Sequence, residues 1–272
     1  MNGWFEAVGP KRPFLLLGMV HLAPLPGSPR WNGSMAAVVE AARRDAGTLV
    51  GAGFDGVIVE NFGDAPFLPG AVPPVTVAAI AVAAEAVRRE IGSGRLLGVN
   101  VLRCDALAAV GVAVAAGADL VRVNVHTGSM WTDQGLIEGR AWETVRERAR
   151  LGAERVAILA DVLVKHAEPP VPVPAGRAAA EAVDRGLADA VVVTGPATGE
   201  PADGAVLAAV RAAVRAPVLV GSGVGADTLP ALGAVADGAI VGTAVKEDGR
   251  VTAPVDAARA RELVAARPAG RA

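Results

Sequence analysis

Eight short apolar runs rich in β-branched residues alternate with helical segments along this chain. Each run is bounded by glycine or aspartate, and the runs are Phe14–Val20, Gly56–Glu60, Leu96–Leu102, Leu120–Val125, Val156–Asp161, Ala190–Thr194, Pro217–Gly221 and Gly238–Gly242. Near-continuous apolar strands separated by helices are typical of a parallel sheet that helices cover. Eight such units in 272 residues predict an α/β fold, a single closed (β/α)8 barrel, and the alternative is an open doubly wound sheet.

No linker or low-complexity segment divides the chain, so we expect one barrel domain over residues 1–272. Residues 1–13 are then an N-terminal lead-in to the first strand, and residues 265–272 are a loose C-terminal tail.

Charge and cysteine content exclude several classes of function. The net charge is −2 and no basic run occurs, whereas non-specific nucleic-acid binding needs clustered lysine and arginine. Cys104 is the only cysteine, so no intrachain disulfide can form and a cytoplasmic location is expected. The run Phe14–Val20 is too short to span a bilayer, so no transmembrane segment is expected. Homo-oligomerisation is left open.

The links between predicted elements are unequal in length. Helix-to-strand links are short, whereas four strand-to-helix links are long: His21–Ser34, Asn61–Val75, Thr127–Glu138 and Ala167–Ala175. In (β/α)8 barrels the strand-to-helix loops form the active site, at the C-terminal ends of the strands. The asymmetry therefore indicates an enzyme with a ligand site at this face.

All three histidines of the chain fall at or just after the end of a predicted strand. His21 follows the first strand, His126 the fourth and His166 the fifth. Histidines at strand ends are candidate acid–base groups, although each could instead be a hydrogen-bonded structural residue.

The fourth predicted strand has strictly alternating character. Arg122, Asn124 and His126 alternate with valines, so they share one face and are expected to point into the barrel. A buried arginine requires an anionic partner, and Glu60 and Asp161 are the candidates. Arg122 then either forms a structural salt bridge or binds a substrate carboxylate or phosphate.

Polar residues at neighbouring strand ends extend this cluster. The expected substrate-binding residues are Asn61, Asn100, Asn124, Thr194 and Gly195. Asp161, Lys165 and His166 lie within six residues at the end of the fifth strand and could supply acid, base and electrophile. Lys165 could form a Schiff base if burial lowered its pKa, although a solvated loop lysine is the simpler interpretation.

A metal ion and a phosphate group are two further ligands that the pattern permits. The candidate ligands of a divalent metal are His21, Glu60, His126, Asp161 and His166, but no tight ligand spacing supports that site. The candidate phosphate-binding residues are Gly221, Ser222, Gly223, Gly242 and Thr243. They follow the seventh and eighth strands, where barrels commonly bind phosphate, although plain tight turns are the alternative.

Several long strings also resemble one known family. They are GMVHLAPLPGSP from Gly18, VENFGDAP from Val59, LGVNVLR from Leu97, RVNVHTG from Arg122, ADVLVKH from Ala160 and VGSGV from Val220. From about Phe14 to Val264 the chain resembles the BtpA/SgcQ family. That resemblance implies a TIM barrel related to the ribulose-phosphate-binding barrels, and Cys104 departs from the asparagine usual in the family.

Two functions follow from these observations. The residues favour an enzyme that acts on a small phosphorylated metabolite, such as a sugar phosphate or a nucleotide-like compound. The reaction would be a lyase, isomerase or hydrolase step with acid–base or metal-assisted chemistry. The family resemblance implies the alternative, a non-catalytic biogenesis factor for a membrane complex such as photosystem I.

Overall fold

The computed structural model describes residues 14–269. Its strands are β1 (Leu15–His21), β2 (Gly56–Glu60), β3 (Leu96–Asn100), β4 (Leu120–Val123), β5 (Ser129–Thr132), β6 (Gly135–Glu138), β7 (Ala157–Val162), β8 (Ala167–Glu168), β9 (Ala190–Val193), β10 (Val218–Val220) and β11 (Gly238–Val241). Its α-helices are α1 (Met35–Ala52), α2 (Pro74–Ile91), α3 (Ala106–Ala116), α4 (Ala141–Arg150), α5 (Ala175–Ala180), α6 (Gly204–Ala213), α7 (Leu229–Leu232) and α8 (Ala257–Ala265). Every predicted strand is present, with ends shifted by at most two residues.

Eight of these strands pair in parallel and close into a barrel. Their order is β1-β11-β10-β9-β7-β4-β3-β2. Closure occurs where Leu15 of β1 pairs with Gly238 of β11. The predicted (β/α)8 barrel is therefore confirmed, and the open-sheet alternative is wrong because the first and last strands pair.

Two apolar layers account for the barrel's core. The strand side chains that point inward fill the lower barrel with aliphatic residues, among them Leu17, Ile58 and Leu159. The alternate side chains, such as Val57 and Val59, pack outward against the helices. Polar side chains are consequently confined to the upper end of the barrel interior.

Aspartates that directly precede four barrel strands stabilise the N-terminal end of the barrel, which we call the lower rim. Each carboxylate accepts a hydrogen bond from the first residues of an adjacent strand and pairs with an arginine. The pairs are Asp55–Arg267, Asp119–Arg88, Asp189–Arg148 and Asp237–Arg211. The repetition explains why an aspartate directly precedes each of these strands: the four carboxylates organise the N-terminal rim, far from the loops at the other end.

The boundaries predicted for the two chain ends can be compared with the structure. Helix α8 ends at Ala265, but Arg267 donates to the Gly53 carbonyl at 2.9 Å and pairs with Asp55. Residues 265–272 were expected to be a loose tail; within the described part of the chain, these contacts tie Arg267 to the lower rim. Residues 1–13 and 270–272 lie outside the described residues. Within the described part, no helix has the length and apolar character needed to cross a bilayer.

A small antiparallel sheet lies above the barrel, in loops expected to lack regular structure. Strands β5 and β6 form a hairpin after β4, and β8 adds to its edge in the order β6-β5-β8. The tip of this hairpin contains Asp133, which reaches the rim of the cleft described below.

Candidate active site

A cleft with two lobes opens at the C-terminal ends of the strands. One lobe, of about 330 Å³, is lined by loops after β9, β10 and β11 that contain Gly199, Gly221, Gly223 and Gly242, and we call it the glycine lobe. The other, of about 440 Å³, is lined by Phe62, Phe67, Leu102 and Val164, and we call it the aromatic lobe. Five residues line both lobes: Glu60, Phe62, Arg122, Lys165 and Thr198. A single elongated ligand could therefore occupy both lobes.

Arg122 is fixed from beneath by Asp161. Its Nε and Nη2 donate to the two carboxylate oxygens at 2.8 and 2.9 Å, and Asn124 Nδ2 adds a bond of 3.1 Å. The Asp161 side chain is fully buried, so its oxygens are occupied and face away from a ligand. Asp161, rather than Glu60, is the partner of Arg122, and its geometry is that of a residue that orients the guanidinium.

Glu60 is a buried carboxyl at the shared wall. Its Oε2 accepts a hydrogen bond from Asn100 Nδ2 at 2.6 Å. Burial raises the pKa of Glu60, against the opposing effects of the Arg122 and Lys165 charges. A carboxyl that retains its proton to higher pH can act as a general acid and then as a base.

His21 lies beside Glu60 and is held neutral. Burial, aided by the charge of Lys246, lowers the pKa of His21 to about 3. Its Nδ1 lies 3.1 Å from the Val251 carbonyl, which only accepts, so Nδ1 carries the proton. The Nε2 lone pair therefore faces Glu60 Oε1 at 3.7 Å. The raised pKa of Glu60 and the lowered pKa of His21 make the two neighbours candidates for an acid–base pair.

Lys165 brings an amine to the shared wall. Its side chain has no hydrogen bond or ion pair with another residue in 14–269. Burial and the Arg122 charge lower the pKa of Lys165. The amine is thus available to a ligand, and more of it is neutral at a given pH than for a solvated lysine.

Arg103 positions this part of the chain and was not predicted from the sequence. Its Nη2 donates to the Lys165 carbonyl at 2.7 Å, and its Nη1 to Asp133 Oδ1 at 3.1 Å. The arginine thereby joins the loop after β7 to the hairpin tip. Its place three residues after β3 gave only a weak signal, because the partners are 30 and more residues away in sequence.

Two loops bring residues with unpaired backbone N–H groups to the glycine lobe. Four residues that line the lobe, Gly223, Val224, Thr243 and Ala244, have no acceptor for their N–H groups within residues 14–269. Gly223 has φ +64°, and a Cβ there would lie 2.2 Å from Pro201 Cα, so only glycine fits. Unpaired N–H groups on successive residues are a common way to bind phosphate or carboxylate.

The Ser222 hydroxyl, which was predicted to donate to a phosphate, is engaged by two backbone groups in this structure. It donates to the Glu200 carbonyl at 2.9 Å and accepts from Gly195 N–H at 2.6 Å. Ser222 therefore holds the loop after β9 against the loop after β10. The loop after β9 also contributes Thr198 and Gly199 to the lining of the glycine lobe. These two residues were not identified from the sequence.

Thr194, Gly195 and Asn61 also shape the site without lining either lobe. Thr194 Oγ1 accepts from Lys165 N–H at 3.2 Å, and Gly195 is packed against Glu200. The Asn61 side chain pairs with both backbone groups of Leu102. These residues were expected to bind substrate, but the structure uses their polar atoms to connect neighbouring loops.

His126 does not join the inward face expected for it. Strand β4 ends at Val123, so the alternation stops before residue 126. The His126 ring is buried outside the cleft, with Nε2 at 2.8 Å from the Gly186 carbonyl. His166 lines the aromatic lobe, and its Nε2 lies 3.1 Å from Thr198 Oγ1.

The candidate metal ligands are not brought together. Within residues 14–269, no group of three or more histidine, cysteine, aspartate or glutamate residues could hold an ion. Among the candidates His21 and Glu60 are adjacent, Asp161 is occupied by Arg122, and His126 is remote. The residues present therefore do not fit a divalent metal centre.

Comparison with known protein families places the chain in one of them. The model of the BtpA family matches residues 12–268. This chain belongs to the BtpA family. The BtpA-family chain is 53% identical to uncharacterized protein TK2179 of Thermococcus kodakarensis, covering 92% of this chain and 93% of that one. It is 43% identical to photosystem I biogenesis protein BtpA of Synechocystis, over 94% and 88%. The sequence resemblance is thereby confirmed.

Solved structures similar to this BtpA-family chain are (β/α)8 enzymes. Phosphoribosyl anthranilate isomerase from Thermus thermophilus has a TM-score of 0.58 at 13% identity, covering 93% of this chain and 98% of that one. Tryptophan synthase from M. tuberculosis has a TM-score of 0.61 at 20% identity, over 96% and 95%. Thiamine phosphate pyrophosphorylase from Pyrococcus furiosus has a TM-score of 0.54 at 17% identity, over 93% and 95%. At these identities the likeness establishes the fold alone.

Proposed function

We propose that this BtpA-family protein is an enzyme that acts on a small phosphorylated metabolite, a sugar phosphate or a nucleotide-like compound. One observation carries the proposal: residues with unpaired N–H groups on two glycine loops line the same cleft as Glu60, His21 and Lys165. An anion site beside buried acid–base groups is the arrangement that a phosphorylated substrate requires.

Each group has a distinct role in this proposal. The phosphate binds in the glycine lobe to the N–H groups of Gly223 and Thr243 and to the Thr243 hydroxyl, and Arg122 adds positive charge at the shared wall. The Glu60 carboxyl and the neutral His21 transfer protons at the adjacent carbon or oxygen atoms of the substrate. Acid–base chemistry of the isomerase or lyase type needs no metal ion.

Similar structures support a phosphorylated substrate. They include phosphoribosyl anthranilate isomerase and thiamine phosphate pyrophosphorylase. Phosphate sites after the last two barrel strands recur in this fold. The cytoplasmic location that the single cysteine favours is part of the same proposal, because metabolites of this kind are substrates of cytoplasmic enzymes.

A biogenesis role remains the second candidate. The relative from Synechocystis is named for photosystem I biogenesis, and the hairpin presents apolar side chains outward. Trp131 is 55% exposed and pairs with Leu136, and the nearby Trp142 is 57% exposed. Exposed tryptophans favour a protein contact. If assembly is the function, Trp131→Ser abolishes it and Thr243→Val does not.

Thermal denaturation in the presence of phosphorylated metabolites tests the enzyme proposal. A ligand at 100 times its dissociation constant adds about 2.7 kcal/mol, which raises the Tm by about 5–10 °C for a chain of this size. We expect one or more phosphorylated compounds to do so, and Thr243→Val to reduce the shift by more than half. Thr48→Val, on the outer surface of α1, is the matched control. If no phosphorylated compound stabilises the protein, the proposed function is wrong.

A further inference from the structure

Lysine is almost absent from this chain. Of its 26 lysines and arginines only three are lysines: Lys11, Lys165 and Lys246. Arginine carries the same charge and pairs more readily with carboxylates and phosphates. A lysine in a chain that otherwise uses arginine is therefore a candidate for a role that arginine could not fill.

Lys246 and Lys165 occupy contrasting places. Lys246 is 1% exposed, and its Nζ donates to Asp45 Oδ2 at 2.7 Å in a buried ion pair. Lys165 lines both lobes of the cleft and has no side-chain partner within the described residues. Lys11 lies outside the described residues. Of the two lysines among residues 14–269, only Lys165 has an amine that can contact a ligand in the cleft.

The surroundings of Lys165 restrict what its amine can do. Arg122 already supplies a permanent positive charge at the shared wall, held there by Asp161. A second cation is unnecessary for binding an anion, and the guanidinium disfavours protonation of the amine beside it. The Glu60 carboxyl lines the same wall and can donate a proton. An amine whose pKa is lowered, on the same wall as a carboxyl whose pKa is raised, is the combination that favours imine formation.

We infer that Lys165 forms an imine with the carbonyl group of a phosphorylated aldehyde or ketone whose phosphate lies in the glycine lobe. The inference rests on the proposed function and deepens it, because it names the substrate class and the nucleophile. An arginine at this position could not perform the step, because a guanidinium stays protonated and does not add to a carbonyl.

The step balances within the groups of the cleft. Lys165 Nζ adds to the carbonyl carbon, the C=O pair moves to oxygen, and one amine proton follows it to give a neutral carbinolamine. Glu60 then protonates the hydroxyl, the C–O bond breaks, and water leaves. The nitrogen lone pair forms the C=N bond, which leaves a protonated imine beside the Glu60 carboxylate. The cationic imine withdraws electrons from the adjacent C–H or C–C bond, which becomes easier to break.

Borohydride trapping of the full-length protein tests this inference. Pyridoxal 5′-phosphate and dihydroxyacetone phosphate serve as probes, since each carries a carbonyl and a phosphate. After reduction, peptide mass spectrometry is expected to find the secondary amine at Lys165. Labelling there should be faster than at Lys11, because burial raises the fraction of the Lys165 amine that is neutral. Excess inorganic phosphate should slow it.

Two variants make the outcome decisive. Lys11→Arg should be labelled like the wild type, whereas Lys165→Arg should keep its fold and its phosphate-dependent Tm shift but lose the adduct. If a probe raises the Tm but Lys165 is labelled no faster than Lys11, the inference is wrong while the proposed function stands. If neither probe nor any other phosphorylated compound binds, both fail.

Discussion

At the scale of single residues, the upper barrel is governed by which polar atoms are already occupied. Asp161 has both carboxylate oxygens bonded to Arg122, and Ser222 has its hydroxyl bonded on both sides. Glu60, Lys165 and Thr243 keep polar atoms available to the cleft. The sequence indicates which residue types gather at strand ends, but it does not reveal which of them satisfy one another, because that depends on side-chain reach across separate loops.

Asp161→Asn is predicted to destabilise the protein strongly. The substitution leaves the buried Arg122 guanidinium without its counter-charge, and breaking a buried pair from one side costs about 3–5 kcal/mol. Urea denaturation should report a fall of that size in the free energy of unfolding. Asp184→Asn, at an exposed position, should change it by less than about 0.5 kcal/mol. Equal effects of the two substitutions would contradict the buried pair.

His21 is predicted to make the fold sensitive to acid. Its pKa is about 3 in the folded protein and about 6.5 when unfolded, so below pH 6.5 the unfolded state binds the extra proton. Stability is then lost as the pH falls, by about 1.4 kcal/mol per pH unit between pH 6 and 4. His21→Gln lacks this proton.

The measurement is the slope of unfolding free energy against pH for the two proteins. The slope for His21→Gln should be shallower by about 1.4 kcal/mol per pH unit, since the other titrating groups are common to both. Parallel curves would mean that His21 is protonated in the folded state and cannot present a lone pair to Glu60.

At the scale of elements, secondary structure can be predicted from the sequence where a run of residues has one dominant hydrophobic pattern. The eight barrel strands are buried on both faces, so their apolar runs are unbroken and easily recognised. The prediction is wrong at the ends of strands. His126 continues the alternation of β4 in sequence, but the strand ends at Val123 and the ring turns toward Gly186. The hairpin β5–β6 was hidden in the same way inside a segment expected to be a loop.

Ser222→Ala is predicted to loosen the loop after β9. It leaves the Gly195 N–H without an acceptor in a buried setting, which costs about 1–3 kcal/mol. Hydrogen exchange should speed up at the Gly195 amide and in the segment 195–200, and phosphate-dependent stabilisation should weaken because Thr198 and Gly199 move. Ser93→Ala, in an exposed turn, is the control. Unchanged protection at Gly195 would show that Ser222 does not hold this loop.

At the scale of the whole molecule, the two ends of the barrel have different tasks. Four aspartate–arginine pairs organise the lower rim, whereas the long loops and the ionisable groups gather at the upper one. The sequence predicted this direction from loop lengths and from the glycines after the last two strands. It did not predict that the cleft has two lobes, because Phe62, Phe67 and Arg103 come from loops that no local pattern places together.

A crystal structure with a bound phosphorylated compound tests the central claim most directly. The ligand should be the compound that stabilises the protein most, and Thr243→Val crystals treated identically are the control. The proposal predicts the phosphate in the glycine lobe, within hydrogen-bond distance of the Gly223 and Thr243 N–H groups, with the rest of the ligand directed toward Glu60 and Lys165. A phosphate bound elsewhere, with the glycine lobe filled only by water, would contradict it.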